Sequence, residues 1–255
     1  MTASAPDQAL RTASALVFVE DLDRPLLSED DAHHLGDVLR LKPGEQVAAA
    51  DGKGGWRICA FTTSRLPRPA RGASKATRPV SIEVAGPVNR LESPTPRLEI
   101  AFSWAKTDRT EWAVAKLVEL GIDRLTPLVA DRTVVRPADA SGARRESRLR
   151  RIVREAAMQS RRPLLPEIGT SQSVDDLIGR SSVSTVALAE PGGGPLSLET
   201  PIVLVGPEGG WSSREMALVG RKVSLGDGVL RIETAALTAG ALLTALRSGI
   251  VAAPS

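Results

Sequence analysis

Two glycine-containing segments of this 255-residue chain have the residue types that a ligand-binding site requires. The first is "VGPEGGWSSRE", residues 205–215, and the second is "LGDGVLRIE", residues 225–233. Glycine lets the backbone approach a ligand closely and leaves amide N–H groups pointing outward. Arg231 could stabilise negative charge that develops in a reaction, and Glu208 or Glu233 could accept a proton. These segments are therefore the first candidates for a binding and catalytic site.

The glycine spacing excludes two common nucleotide-binding motifs. A phosphate loop needs a Lys-Ser or Lys-Thr pair after its glycines, and no such pair follows the first segment. Gly206, Gly209 and Gly210 also have the wrong spacing for G-x-G-x-x-G. From these residues alone, a tight structural turn explains the first segment as well as a binding loop does. Arg231 and Glu233 could equally form an ion pair at a helix start.

Alternating strands and helices in the C-terminal part would position both segments. From about residue 97 onward, strands are predicted over "RLEIAFSW", "DRLTPLVADRT", "TVALAE", "PIVLVG" and "KVSLG". A capping box of Ser212 and Glu215 starts the helix after the first segment. Asp108 with Glu111 starts an earlier helix, which Gly121 ends. This alternation predicts a parallel sheet covered by helices, with both glycine segments at the carboxyl ends of strands.

The first 90 residues predict a smaller region that is mostly β-structure. "ALVFVED" predicts a strand after a leader without regular structure, and Ser28 with Asp31 starts a short helix. Two further strands flank a hairpin for which Asp51 and Gly52 supply the turn. We therefore expect a compact β-barrel here and a second, α/β domain after it.

Positive charge is concentrated in two segments of the chain. The net charge is only +3, but the isoelectric point is about 9.4 and arginines cluster in residues 65–78 and 144–162. Such clusters attract phosphates because binding releases counterions. A solvated helix face and a linker explain the same clusters equally well, so charge alone leaves nucleic-acid binding open.

The sequence excludes several other classes of protein. Cys59 is the only cysteine, which rules out an internal disulfide framework and a cysteine-rich metal site and favours the cytosol. His33 and His34 are the only histidines and would face different ways on a helix, so we expect no metal. The N-terminus does not have the pattern of a secretory signal. Thr234–Ala253 is apolar but contains Arg247, which favours a buried helix at a tight or dimeric interface over a membrane span.

The two glycine segments belong to a longer pattern. "LVGPEGGWS" followed by "VSLGDGVLRIETAA" resembles the signature of the SPOUT-superfamily uridine methyltransferases, which make 3-methyluridine in small-subunit ribosomal RNA. "HHLGDVLRLKPGE" and "DGKGGW" resemble the N-terminal part of that family, and "KTDRTEWAVAKLVELGIDRLTPLVADRT" and "REAAMQSRRPLLPEI" resemble its middle. The resemblance runs from Phe18 to Leu243. It implies a PUA-like β-barrel at 14–90 that binds RNA and an α/β SPOUT domain with a C-terminal trefoil knot at 96–251.

The resemblance also implies a cofactor, an acceptor and the residues that hold them. The cofactor is S-adenosylmethionine (SAM), and the acceptor is N3 of a uridine in 16S rRNA, within the small ribosomal subunit. The enzyme would be a cytoplasmic homodimer that associates through its knotted domain. The residues expected to hold the cofactor are Leu188, Leu204, Gly206, Pro207, Glu208, Gly209, Gly210, Leu225, Gly226 and Leu230. The residues expected to contact RNA are His34, Arg40, Lys106, Arg132, Arg161 and Arg162. Arg161 stands where the family commonly has glycine, so the family's arginine is matched to Arg162.

Methyl transfer to a uracil nitrogen is a direct displacement that requires alignment and removal of the N3 proton. Arg231 or Arg162 could stabilise charge on the uracil oxygens, and Glu233 or Glu208 could accept the proton or bind the cofactor. Either glutamate could instead have a structural role. Methylation at carbon 5 would need a cysteine nucleophile, and Cys59 lies in a predicted strand of the barrel, which argues against that chemistry.

Two other functions remain open at the level of sequence. A related knotted enzyme could methylate a ribose 2′-hydroxyl with the same cofactor. A non-catalytic ribosome-assembly factor could retain the fold, although intact glycines in both segments argue against it. The four tryptophans and the absence of tyrosine do not fit an aromatic platform for single-stranded RNA. Trp211, next to the glycines, is the tryptophan closest to the candidate site.

Overall fold

The structure, a computed structural model, describes residues 5–63, 80–104, 107–133 and 139–252. The chain forms two compact units. The first comprises Met1–Ser93 with Ala157–Leu165, and the second comprises Pro94–Ala156 with Pro166–Ser255. The segment 157–165 therefore belongs to the first unit, although it lies far along the sequence. The basic cluster at 65–78 lies outside the described residues.

The first unit is a five-stranded sheet with short helices. Its strands follow the order β1-β2-β3-β4, with β5 paired to β3; β1 and β2 are parallel and the other pairs are antiparallel. The elements are α1 (Ala5–Thr12), β1 (Ala15–Phe18), α2 (Glu29–His33), a π-helical turn (His34–Val38), β2 (Gln46–Ala50), β3 (Gly55–Thr63), β4 (Val80–Val84) and β5 (Asn89–Arg90). The predicted leader without regular structure is wrong: α1 occupies that segment, and Leu10 at its end is buried.

Local sequence explains two features of this unit. The side chain of Ser28 caps α2 by accepting a hydrogen bond from the backbone N–H of Asp31, as predicted. The hairpin between β2 and β3 is also confirmed, and the Asp51 carboxylate accepts the N–H groups of Lys53 at 2.7 Å and Gly55 at 2.9 Å. Self-contained turns of this kind are readable from sequence because their partners lie within a few residues.

The second unit is an α/β domain with a parallel sheet. Its strands follow the order β12-β10-β11-β6-β7-β8, with β9 also paired to β7, and each of these pairings is parallel. The strands are β6 (Glu99–Ser103), β7 (Arg124–Val129), β8 (Glu167–Ile168), β9 (Gln172–Ser173), β10 (Val186–Gly194), β11 (Ile202–Val205) and β12 (Lys222–Val223). The helices are α3 (Thr107–Leu120), α4 (Asp139–Gln159, whose last residues belong to the first unit), α5 (Val174–Arg180), a 3-10 turn (Val183–Thr185), α6 (Ser213–Val219) and α7 (Ile232–Arg247). The predicted α/β class is confirmed.

Helix α3 ends as predicted but begins differently. Gly121 has a φ of +98°, its N–H bonds to Val118 O, and the next N–H bonds to Leu117 O, which is a Schellman ending. The prediction that Asp108 precedes the helix as its cap is wrong, because the helix begins at Thr107 and Asp108 lies in its first turn.

Helix α7 is held inside the second unit by a polar contact at its C-terminal end. The Arg247 guanidinium forms an ion pair with buried Asp123 and donates a hydrogen bond to Gly121 O at 2.8 Å. Gly240 lets α7 approach α3, since a Cβ there would lie 2.6 Å from Leu117 Cδ2. Among the described residues, no helix is long and apolar enough to cross a membrane.

Candidate active site

A cavity in the second unit lies at the carboxyl ends of β12 and β11 and beside residues 189–191 of β10, the strand between them. Its volume is about 420 Å³, within the range of roughly 300 to 1,000 Å³ that small-molecule pockets have. It is lined by residues 189–191, 205–208, 210–211, 225–226, 228–232 and 235. Ligands of open α/β sheets bind at this edge, so the cavity is the candidate site.

The loop after β11 is packed tightly against an indole ring. A Cβ at Gly206 would lie 2.9 to 3.1 Å from ring atoms of Trp211, so only glycine fits there without displacing the ring. Trp211 is 5% exposed, and its Nε1–H donates to the carbonyl of Ala189 in β10 at 3.0 Å. The indole therefore fixes this loop to the neighbouring strand and forms part of the cavity wall.

A buried carboxylate fixes the same loop from the other side. Ser212 is the N-cap of α6, and Glu215 completes the predicted capping box by accepting the Ser212 N–H at 2.9 Å. The second oxygen of Glu215 accepts the N–H of Asp131, after β7, also at 2.9 Å. Glu215 is fully buried, so these hydrogen bonds are what make its burial tolerable.

An arginine on α6 joins the start of that helix to the loop after β7 and to the first turn of α5. Arg214 donates to both oxygens of Asp131, at 2.9 and 3.2 Å, and to both oxygens of Asp175 at 2.9 Å. Hydrogen bonds from Arg214 and from the Ser212 hydroxyl hold the pKa of Asp131 below its ordinary value. The ion pairs with Asp131 and Asp175 raise the pKa of Arg214.

The loop after β12 is held by far fewer side-chain contacts. Ser224 Oγ donates to Gly226 O at 3.1 Å, and Val229 is 93% exposed. Arg231 lines the cavity as the N-cap of α7, and it is exposed. Within the part of the chain that the structure describes, no carboxylate pairs with its guanidinium. Arg231 is thus available for a ligand.

Glu233 occupies a different environment from the one the sequence suggested. Its carboxylate lies 3.7 Å from Nη1 of Arg109 and is 13% exposed, and it is not among the residues that line the cavity. The alternative of an ion pair between Arg231 and Glu233 is therefore wrong, because Glu233 pairs with Arg109 instead. Of the two glutamates considered as proton acceptors, Glu208 is the one on the cavity wall.

Most of the predicted cofactor residues lie on the cavity wall. Those that line it are Gly206, Pro207, Glu208, Gly210, Leu225, Gly226 and Leu230. Leu188 and Leu204 instead lie fully buried in the core beneath it, with Trp211. Gly209 faces away from the cavity, and its carbonyl accepts a hydrogen bond from Arg132 Nη1 at 3.1 Å.

Sequence reasoning missed three wall residues within β10. Ala189, Glu190 and Pro191 line the cavity. They precede three consecutive glycines in "LAEPGGGP", so apolar residues are followed closely by glycines here, as they are at the other two segments. That repeated pattern is the sequence signal that could have identified these three residues as part of the cavity wall.

The predicted RNA contacts are divided between the two units. His34 and Arg40 are exposed in the first unit, and Arg132 is exposed in the second, on the loop after β7. Arg162 lies in the segment 157–165 of the first unit and its N–H bonds to Ala157 O. Lys106 lies outside the described residues.

Arg161 already has backbone partners. Its guanidinium donates to the carbonyls of Ala13, Ser14 and Met158 at 3.1, 2.7 and 2.8 Å, and partial burial lowers its pKa. Its φ is +57°, a conformation that favours glycine. The guanidinium thus secures the backbone before β1, which leaves few of its donors for RNA.

Cys59 is fully buried in β3, and this burial raises the pKa of its thiol. A buried, protonated thiol is a poor nucleophile. Within the described ranges, no group of three or more histidine, cysteine, aspartate or glutamate side chains is placed to hold a metal ion.

An open parallel sheet with a glycine-walled cavity at its carboxyl edge defines a ligand-binding α/β domain. Comparison with known sequences identifies the family to which this domain belongs. The sequence model of an RNA methyltransferase domain matches residues 91–244, and that of an RNA methyltransferase PUA domain matches residues 27–64. Ribosomal RNA small subunit methyltransferase E of Synechocystis sp. is 31% identical over 237 residues, covering 86% of this chain and 72% of the relative. The chain belongs to this RNA methyltransferase family, as predicted.

Two further relatives agree with this assignment. Ribosomal RNA small subunit methyltransferase E of Bacillus subtilis is 26% identical, covering 87% of this chain and 90% of the relative. A structure from Legionella pneumophila, solved with the bound cofactor SAM, has a TM-score of 0.72 at 26% identity and covers 90% of this chain and 96% of its own.

Proposed function

We propose that this protein transfers a methyl group from SAM to N3 of a uridine in small-subunit 16S rRNA. The observation that carries the proposal is the cavity with Gly206 against Trp211 on one side and, on the other, Arg231, which pairs with no carboxylate among the described residues. The family assignment supports rRNA as substrate, and the Legionella pneumophila relative binds SAM.

The residues that line the cavity fit this cofactor. Glycines at 206, 210 and 226 leave backbone N–H and C=O groups accessible, as adenosine and methionine parts need. Leu225 and Leu230 supply apolar surface for a purine ring, and the core leucines Leu188 and Leu204 support that wall from below. When bound, the cofactor supplies the methyl group: its C–S bond breaks, sulfur keeps the electron pair, and N3 forms the new bond as it loses its proton.

The chain's own residues then align the acceptor and stabilise charge. Arg231 is placed to donate hydrogen bonds to a uracil oxygen as negative charge develops, with Arg162 as the other candidate from the first unit. Glu208, one of the two carboxylates on the cavity wall, could take the N3 proton. Glu233 would instead stabilise the start of α7 through its ion pair with Arg109.

We also propose that the protein is a homodimer that associates through its α/β domain and that the C-terminal part of this domain forms a trefoil knot. It would act within the small ribosomal subunit, in the cytoplasm, without a metal ion. The proposed domains span residues 14–90 and 96–251, and within the second of these ranges the segment 157–165 belongs to the first compact unit. RNA contacts by His34, Arg40, Lys106, Arg132, Arg161 and Arg162 are part of the same proposal.

The test is to incubate the protein with isotopically labelled SAM and small ribosomal subunits that lack the modification. The RNA is then digested and its nucleosides are separated by mass spectrometry. We expect labelled 3-methyluridine. A labelled 2′-O-methylated nucleoside would instead identify a ribose methyltransferase, and absence of both label and SAM binding would favour a non-catalytic assembly factor.

A further inference from the structure

The described residues that line the cavity include three ionisable side chains. Two are carboxylates, Glu190 and Glu208, and one is the guanidinium of Arg231. The wall therefore has a net charge of minus one. In the described part of the chain, neither carboxylate has an ion-pair partner, whereas Asp131, Asp175 and Glu233 nearby in the same unit are each paired with arginine.

The position of Glu190 makes its charge effective. It lies within β10, the strand between β12 and β11, and it is half-buried, whereas Glu208 is exposed. A charge that is partly removed from water is screened less by solvent and salt. The rest of the wall is largely apolar or glycine, so it adds little competing charge.

We propose that Glu190, assisted by Glu208, recognises the positive charge on the sulfonium of the cofactor and so makes the cavity prefer the methyl donor over its demethylated product. This rests on the proposed function, since it assumes that the cavity binds SAM. The donor has a sulfonium cation that the product, S-adenosylhomocysteine, does not have. Carboxylates on the wall attract that cation and not the neutral thioether. Methyl transfer then removes the charge that held the ligand, which favours release of the product.

Calorimetry on the whole protein tests this without RNA or turnover. The dissociation constants of SAM, S-adenosylhomocysteine and sinefungin, which has an amine in place of the methylsulfonium group, are measured for each variant. Glu190→Gln keeps the shape of the side chain and removes its charge. We expect the preference for SAM over the product to fall about three- to tenfold in Glu190→Gln, and less in Glu208→Gln because that side chain is more exposed. Sinefungin should behave as SAM does.

Two further variants control the sign and the location of the effect. Arg231→Gln removes the positive charge from the wall and should increase the preference for SAM. Glu199→Gln removes an equal charge from an exposed side chain that pairs with Arg221 outside the cavity, and it should leave the preference unchanged. Thermal unfolding confirms that each variant is folded.

Three results would overturn the inference. If Glu190→Gln weakens the binding of SAM and of its product equally, the carboxylate recognises a chemical group that both ligands have. If the preference is the same in all variants, wall charge does not select the donor. If the substitutions change the dissociation constant of sinefungin as they change that of the product, and not as they change that of SAM, the carboxylates do not recognise positive charge. A folded protein that binds none of the three ligands would refute the inference together with the cofactor part of the proposed function.

Discussion

The two loops that form opposite walls of the cavity differ in how they are held. The loop after β11 is fixed by the Trp211 indole, by the buried Glu215 carboxylate and, through α6, by Arg214. The side-chain hydrogen bonds that hold the loop after β12 before Arg231, among the described residues, join Ser224 and Gly226, and Val229 is almost fully exposed. The first loop is thus preorganised, while the second presents its side chains to solvent.

This difference separates two tasks of the site. A wall whose backbone is fixed before binding loses little conformational freedom when a ligand binds, which favours affinity. An open wall that contains an exposed guanidinium can instead respond to an acceptor that arrives later. We therefore expect substitution of Arg231 in the open loop to affect turnover, and substitutions in the fixed loop to affect stability and cofactor binding.

The largest effect should come from Arg231 in the open loop. Arg231→Ala removes the group placed to stabilise charge on the acceptor, and we expect kcat to fall about 100-fold, the usual cost of losing one such donor. SAM binding should not weaken, because the fixed wall is unchanged. Single-turnover methylation and calorimetry measure the two quantities. Arg221→Ala, a change to another exposed arginine, is the control; loss of SAM binding with activity would contradict the catalytic role.

The next largest effect should come from Glu215 in the fixed loop. Glu215→Ala leaves the partly buried N–H groups of Asp131 and Ser212 without their acceptor, at a cost of about 1 to 2 kcal/mol each, because water reaches them in part. We expect the free energy of unfolding to fall by about 2 to 4 kcal/mol, measured by urea denaturation. Glu215→Gln keeps one oxygen acceptor and should lose less. Equal losses in both variants would show that negative charge, rather than hydrogen bonding, makes Glu215 necessary.

A paired glycine substitution compares the two walls directly. Gly206→Ala places a methyl group 2.9 Å from the Trp211 ring and should destabilise the protein by about 1 to 2 kcal/mol through overpacking, with weaker SAM binding. Gly228→Ala in the open loop places its methyl group where no atom lies within 4 Å, so its stability should change by less than about 0.5 kcal/mol. Similar losses in both would remove the distinction between the walls.

The sequence predicted those parts of the site whose partners lie close along the chain. The Ser212–Glu215 capping box and the glycine wall of the first loop are local patterns, and both occur as predicted. The hydrogen bond from the Asp131 N–H to the Glu215 carboxylate was not predictable, because these residues lie 84 positions apart in the sequence. The pairing of Glu233 with Arg109 was missed for the same reason.

Arg161 shows how a departure from a family pattern is explained only by geometry. The sequence shows an arginine where the family commonly has glycine, and glycine is favoured there because φ is +57°. Three hydrogen bonds to carbonyls, two of them almost 150 positions away along the chain, offset the cost of that conformation. No sequence pattern indicates those acceptors.

The smallest effect should be a pH dependence of the contacts that hold the fixed loop. Because Arg214 and Ser212 hold the pKa of Asp131 below its ordinary value of 3.8, its ionised form stabilises the folded state. That contribution is fully present above 3.8 and is lost as the pH falls through the lowered pKa. We expect the stability difference between the unaltered protein and Asp131→Asn to be constant between about pH 7 and 5 and to shrink toward about pH 2.

Urea denaturation across this pH range measures that difference. Asp227→Asn controls for charge because it changes an exposed aspartate of the open loop. Taking the difference between variants removes the general acid destabilisation that all carboxylates of the chain cause. If the Asp131→Asn difference stayed constant to the lowest pH, the ion pair with Arg214 would not contribute to stability. The fixed wall would then depend on Glu215 and Trp211 alone.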